Sequence, residues 1–189
     1  SDSILTLTLN RPEKQNAITR EMYKTLADGI GAAKDDFGIR AVIITSSSKH
    51  FTAGNDLFDF LNDPPLEPGS PVMNFLEAIL NFPKPLLAAV SGNAVGIGTT
   101  MLFHCDVVVA SPTSRFSMPF VNLGLVPEAG SSLLFPRLVG HQRASKVFLA
   151  GDAFDSNYAF DVGLIAEIDE DHLAKVRSIA ERIAAQPPN

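Results

Sequence analysis

The chain is short of cysteine, of basic charge and of long apolar runs, and each shortage excludes something. Cys105 is the single cysteine among 189 residues, so no disulfide can form within the chain and a reducing compartment suits it. It falls in the apolar run Met101-Leu102-Phe103-His104-Cys105 and is expected as a small buried hydrophobe. Lysine and arginine number 15 against 21 aspartates and glutamates, a net charge of −6, which argues against a nucleic-acid binder with its basic stripe. No apolar run approaches the roughly 18 residues needed to span a membrane. The start, Ser1-Asp2-Ser3-Ile4, has no basic signal-peptide region. A P-loop would need Gly-Lys-Ser/Thr, which is absent, and Val90-Ser91-Gly92 lacks the first glycine of a nucleophile elbow. The histidines are scattered. The one cluster, His104-Cys105-Asp106, lies at an expected helix–strand junction where neighbouring side chains diverge, so no metal is expected.

What is present is ample apolar residue, 46% of the chain, enough for one well-buried domain. Ile4 to Leu9 is rich in strand formers and ends at the turn signal Asn10-Arg11-Pro12. Thr19 is a good N-cap, and Met22, Leu26, Ile30 and Ala33 follow at helical spacing. Ala41 to Thr45, Leu86 to Val90 and Val107 to Ala110 are short continuous apolar runs, the mark of strands buried on both faces. A helix is expected over Val72 to Phe82, and a short one over Leu57 to Leu61. Residues 63–71, dense in Pro and Gly, are expected as a loop. Leu173, Val176, Ala180 and Ile183, with Ile179 beside them, form a helical stripe read as core or subunit contact. Strands alternating with helices indicate an α/β class. Gln186-Pro187-Pro188-Asn189 reads as a helix stop followed by more chain.

Three segments carry the candidate chemistry. Gly96-Ile97-Gly98 follows a strand and precedes an apolar helical run. Such a turn leaves backbone N–H groups free at a helix start, a place to hold an oxyanion; its glycines equally permit close strand–helix packing. Ala53-Gly54-Asn55-Asp56 is similar. The Asn55 N–H is a second candidate donor, and Asp56 suits a helix cap. Glu128 sits in the turn-rich apolar stretch Leu123 to Ser132. Two backbone-exposing turns and one carboxylate in apolar surroundings point to an enolate-stabilising site with a single proton shuttle. The alternative for Glu128 is structural: a glutamate in a first helical turn, with Pro127 at the helix start.

Together these segments resemble the crotonase superfamily, the enoyl-CoA hydratase/isomerase family, over essentially the whole chain. Asn10-Arg11-Pro12-Glu13-Lys14-Gln15-Asn16-Ala17 resembles its opening motif. Phe51 to Leu57 resembles its first oxyanion loop. Pro83-Lys84-Pro85 followed by Val90 to Gly98 resembles the second. Cys105-Asp106 and Ala110-Ser111 also fall at family positions. The resemblance implies a single core domain over 1–189, a spiral of ββα units with helical C-terminal segments. The helices that pack the family's trimers would be incomplete within it. It further implies an acyl-CoA thioester substrate, a homotrimer or dimer of trimers, and no nucleic-acid or membrane partner. No resident cofactor or metal is implied, since coenzyme A arrives as part of the substrate. The implied compartment is the cytoplasm in a bacterium, or the peroxisome or mitochondrion in a eukaryote.

By the same resemblance the oxyanion donors are Asn55 and Ile97. Substrate lies against Ala53, Gly54, Asp56, Leu57, Gly96, Gly98 and Phe120, with Lys14, and more weakly Arg11 and Lys49, meeting the phosphates. Residues 61–75 line the acyl tunnel. The family's hydratases carry two glutamates where this chain has Thr100 and Phe120, so hydration is not expected. Glu128 falls where peroxisomal-type Δ3,Δ2-enoyl-CoA isomerases of fatty-acid degradation place their one catalytic glutamate. The expected activity is the shift of a 3-enoyl-CoA to a trans-2-enoyl-CoA. The alternatives are another acyl-CoA reaction at Glu128, such as dienoyl-CoA isomerisation or hydratase-like chemistry, and a non-catalytic acyl-CoA-binding member.

Overall fold

A computed structural model of the chain describes residues 3–62 and 67–187. Its frame is a five-stranded parallel sheet of β1 (Ile4–Leu9), β2 (Ala41–Ser46), β3 (Leu86–Val90), β5 (Val107–Ala110) and β8 (Glu167–Ile168), in that spatial order. The continuous apolar runs are explained by the two-residue period of a strand. Val42, Ile44, Ala88, Val90, Val108 and Ala110 face the larger core. Ala41, Ile43, Leu87, Ala89 and Val109 face the opposite side, where α8 (His172–Ala184) closes over them with Val176, Ile179 and Ala180. Leu173 and Ile183 pack at the edge of this second cluster, so the C-terminal stripe is core.

A smaller sheet joins β4 (Asn93–Val95) in parallel to β6 (Arg115–Ser117), and β6 antiparallel to β7 (Phe154–Asp155). β3 passes through Ser91-Gly92 into β4 and then α4 (Ile97–Thr100), and β5 turns into β6 in the same manner. After β2 the chain repeats the pattern, Thr52 bridging Ala94 in parallel before α2 (Leu57–Asn62). This is the expected spiral of ββα units.

α1 (Arg20–Asp35) starts where the sequence places it, the Thr19 hydroxyl accepting from the Met22 N–H at 3.2 Å. Its buried face is Tyr23, Leu26, Ile30 and Ala33. α3 (Pro71–Leu80) begins one residue earlier than expected, with Ser70 as its cap and Pro71 in its first turn, and ends at Leu80. Of the expected proline-rich loop, residues 63–66 lie outside the described residues. The apolar run after Gly98 tightens from α4 into a 3-10 turn over Met101–His104. The rest of the C-terminal half is α5 (Ser131–Val139), α6 (His141–Ala150) and α7 (Ser156–Asp161). Among the described residues no helix is long and apolar enough to cross a membrane.

Candidate active site

The first turn is held by the Asn10–Ala17 motif. Asn16 is fully buried. Its side-chain amide donates to the His50 carbonyl at 2.8 Å and the Ser48 hydroxyl at 3.0 Å, while its Oδ1 accepts from the Arg11 N–H at 2.7 Å. The Asn16 carbonyl accepts from the Thr52 hydroxyl at 2.7 Å, and Gln15 accepts from the Ala53 N–H at 2.9 Å. Ile18 then brackets the turn, donating to the Gly54 carbonyl and accepting from the Asp56 N–H. The N–H between those two bonds, that of Asn55, donates to no acceptor among the described residues. The buried Tyr23 hydroxyl donates to the Asn55 side-chain oxygen.

The second turn lies alongside. Thr52 exchanges bonds with Asn93 and Val95 at 2.9 and 3.0 Å, laying the Phe51–Gly54 segment along β4. Gly96 adopts φ +56°, which glycine tolerates, and its N–H reaches the Ser117 carbonyl at 2.9 Å. Its own carbonyl accepts from Thr99 and Thr100. The Ile97 N–H likewise donates to no acceptor among the described residues. Gly98 is required by proximity: a Cβ there would stand 2.4 Å from the Thr52 methyl. Close packing at Gly98 and an Ile97 N–H without an acceptor among the described residues thus coexist in one turn.

Glu128 is brought to this place by Thr100. The Thr100 hydroxyl, fully buried on α4, donates to Glu128 Oε1 at 2.5 Å. Thr100 is one helical turn beyond Ile97, about 4.5 Å along the axis. Burial raises the Glu128 carboxyl from its ordinary 4.5 to about 7, the Thr100 hydrogen bond pulling the other way. Tyr23 is raised well above the usual phenol range, by burial first and by the charge of Glu128 second, so the phenol shares this interior. The structural alternative, Glu128 in a first helical turn, does not hold. Ala129 at φ +53° and Gly130 at φ +67° redirect the chain, and α5 starts only at Ser131. The main chain is clamped instead: the Glu128 carbonyl accepts from the Ser131 hydroxyl at 2.6 Å and N–H at 2.9 Å. His104 Nε2 lies 2.8 Å from the Ala129 carbonyl.

The remaining predicted residues divide. Phe120 is buried, its carbonyl accepting from Leu123 and Leu125 at the base of the Glu128 loop. Asp56 caps α2, accepting from the Phe58 and Asp59 N–H groups. It also pairs with Arg11 at 2.5 Å, and that bond first, then the Asp59 N–H, holds its carboxyl below the usual range. Arg11, placed by sequence among cations for phosphate, is therefore committed internally, also donating to the Ala17 carbonyl at 3.0 Å. Lys14 and Lys49 are exposed, and Leu57 is exposed on α2. Residues 68, 69 and 73 of the predicted tunnel segment do line a cleft of about 630 Å³. Leu76 and Leu80 of α3, Leu133 and Leu134 of α5, and Ala129 beside Glu128 complete its apolar wall. His104, Cys105 and Asp106 diverge as expected, engaging Ala129, Met101 and Leu86 respectively. Cys105 is half-buried, and burial pushes its thiol up. Tyr23, Asn16, Thr100, Ser131 and His104 were not foreseen as parts of the site. Each acts across 3 to 36 residues, and only the Ser131–Glu128 clamp is local enough for a sequence signal, a serine at a helix start.

Among the described residues, the Asn55 and Ile97 N–H groups lack an acceptor on adjoining turns, and the half-buried Glu128 meets Thr100 of α4. A family model for enoyl-CoA hydratase/isomerase matches residues 1–189. The chain belongs to the enoyl-CoA hydratase/isomerase family. The family's two named activities both appear among its relatives. The chain is 34% identical over 197 residues to human enoyl-CoA delta isomerase 2, covering 100% of this chain and 50% of that protein. It is 36% identical over 166 residues to the 2,3-dehydroadipyl-CoA hydratase of Escherichia coli K12, covering 87% and 65%. Among solved structures, the enoyl-CoA hydratase/isomerase of Pseudoalteromonas atlantica T6c superposes with a TM-score of 0.96 at 45% identity, covering 100% of this chain and 76% of that one. The chain thus spans half to two thirds of those two enoyl-CoA relatives.

Proposed function

We propose that this enoyl-CoA hydratase/isomerase family chain shifts the double bond of a 3-enoyl-CoA to give the trans-2-enoyl-CoA. Glu128 as the carboxyl group at Thr100 is the observation that carries this reading. Its surroundings keep it near neutrality in proton affinity, the range in which a group both takes and returns a proton at physiological pH. In the proposed course, Glu128 removes a proton from C2 of the substrate. The electron pair moves into a dienolate whose oxygen is met by the Asn55 and Ile97 N–H groups. The same carboxyl delivers the proton to C4. Thr100 and Phe120 supply no second acid or base to activate water, and the buried Phe120 keeps the base of the loop apolar.

In this reading the Ala53–Leu57 turn receives the coenzyme A portion, Gly96 and Gly98 shape the thioester turn, and Lys14 meets phosphate. The apolar cleft between α3 and α5 takes the acyl chain. Assembly as a trimer belongs to the same reading. Isomerisation of a cis-3-enoyl-CoA, followed for the wild type and Glu128→Ala with hydration of the trans-2 product measured in parallel, tests it. The expected result is wild-type turnover without appreciable hydration, and a loss of at least about 100-fold in the variant. Binding of the ester without turnover in the wild type sinks the proposal.

A further inference from the structure

We propose that Thr100 is a positioning residue that pins one oxygen of Glu128 and leaves the other as the atom that exchanges the proton. The geometry is specific to this threonine. Its neighbour Thr99 is committed elsewhere, donating to the Ala94 carbonyl at 2.7 Å and accepting from the Ser117 N–H at 3.2 Å. Thr100 faces Glu128 Oε1 at 2.5 Å from a fully buried position, and its β-branched side chain is confined to two rotamers in a helix. Its N–H is fixed to the Gly96 carbonyl at 3.0 Å, in the turn that presents the Ile97 N–H. At the other end, Ser131 clamps the Glu128 carbonyl twice. The residue is therefore held at its main chain by Ser131 and at its carboxyl by Thr100, with Oε1 occupied as an acceptor and Oε2 without a partner among the described residues.

The groups facing Glu128 are Tyr23 from α1, Thr100 from α4 and, through the Ala129 carbonyl, His104 from the 3-10 turn. Among the described residues no cation is paired with it. A neutral hydroxyl is thus its main polar support. During turnover the C2 proton passes to Oε2 as its electron pair enters the dienolate, and the same proton passes to C4. Thr100 keeps its own proton throughout. This shuttle role rests on the isomerase reading, whereas the effect of the hydroxyl on the carboxyl does not.

The test uses Thr100→Val, which keeps shape, and Thr100→Ser, which restores the donor. Difference infrared spectroscopy follows the Glu128 carboxyl through pH in the free protein, with Glu128→Gln identifying the band. Loss of a hydrogen bond to the charged form should raise the midpoint by about one unit in Thr100→Val, and Thr100→Ser should return it. With a cis-3-enoyl-CoA, kcat should fall about 10-fold in Thr100→Val with KM little changed. In deuterated water the product should carry more deuterium at C4. An unchanged midpoint in Thr100→Val, or a fall that Thr100→Ser does not rescue, overturns the assignment. If both variants titrate as expected but the wild type does not isomerise, the isomerase reading fails and the Thr100 assignment stands.

Discussion

Glu128 is costly to the chain that carries it. Burial raises its carboxyl from 4.5 to about 7. Between those values the folded chain keeps a proton that the unfolded chain has released, so this group makes stability fall as pH rises through the window. The full penalty above pH 7 is on the order of 3 kcal/mol. Glu128→Gln removes the charge and keeps the shape. Its melting temperature should exceed that of the wild type by several degrees at pH 8, and the gap should close near pH 5. Thermal melts by circular dichroism at the two pH values measure it, and equal gaps at both would show that desolvation does not govern the residue. A group that destabilises the fold only when ready to accept a proton is consistent with the proton-shuttle role proposed for Glu128.

Among the elements, α2 is started by a side chain with two tasks. Asp56 caps its N-terminus and pairs with Arg11, which in turn holds the Ala17 carbonyl. Asp56→Ala should cost about 1 kcal/mol from the cap alone. A double-mutant cycle with Arg11→Ala in urea should give coupling of about 0.5 kcal/mol or more; strictly additive losses would mean the pair is idle. β1, β2, β3, β5 and α1 were legible because their signals are local: strand formers before a turn for β1, continuous apolar runs for β2, β3 and β5, and Thr19 before a 3.6-residue stripe for α1; β4, β6, β7 and β8, of two or three residues each, are too short to carry such a signal. The Glu128 segment was not legible either. Pro127-Glu128 has the composition of a helix start, yet left-handed Ala129 and Gly130 postpone the helix to Ser131. Nothing local announces an alanine at positive φ. Nor does spacing disclose that Tyr23 meets Asn55, or Thr100 meets Glu128, because those contacts exist only once the spiral has closed.

At the scale of the molecule, rigidity is unevenly distributed. The middle of the parallel sheet is sealed on both faces, by the larger core and by α8, whereas α2 exposes Leu57, Phe58 and Leu61 and buries no residue fully. Hydrogen exchange should therefore be slowest at Val42–Ile44, Leu87–Ala89 and Val108–Ala110, where opening requires global unfolding, and faster by orders of magnitude across α2. Mass spectrometry of exchanged peptides would check this, and comparable protection of α2 would contradict it. The candidate site lies between these regimes. Ile97 and Thr100 belong to the buried part, while Asn55 stands just before the exposed helix. The family membership was legible from the motifs; in the proposed reading the choice between isomerase and hydratase turns on side chains at 100, 120 and 128.

The N–H groups at 55 and 97, without partners among the described residues, belong to the main chain, and that has a consequence for how such a protein changes over generations. No substitution except proline deletes a backbone donor. Mutational drift can therefore exchange the side chains around the turns, replacing threonine by an acid or glutamate by another residue, without dismantling the cradle beneath them. A lineage built this way explores new reactions by changing its reagents, while the two main-chain donors, and with them the proposed grip on a thioester oxygen, are inherited with the fold.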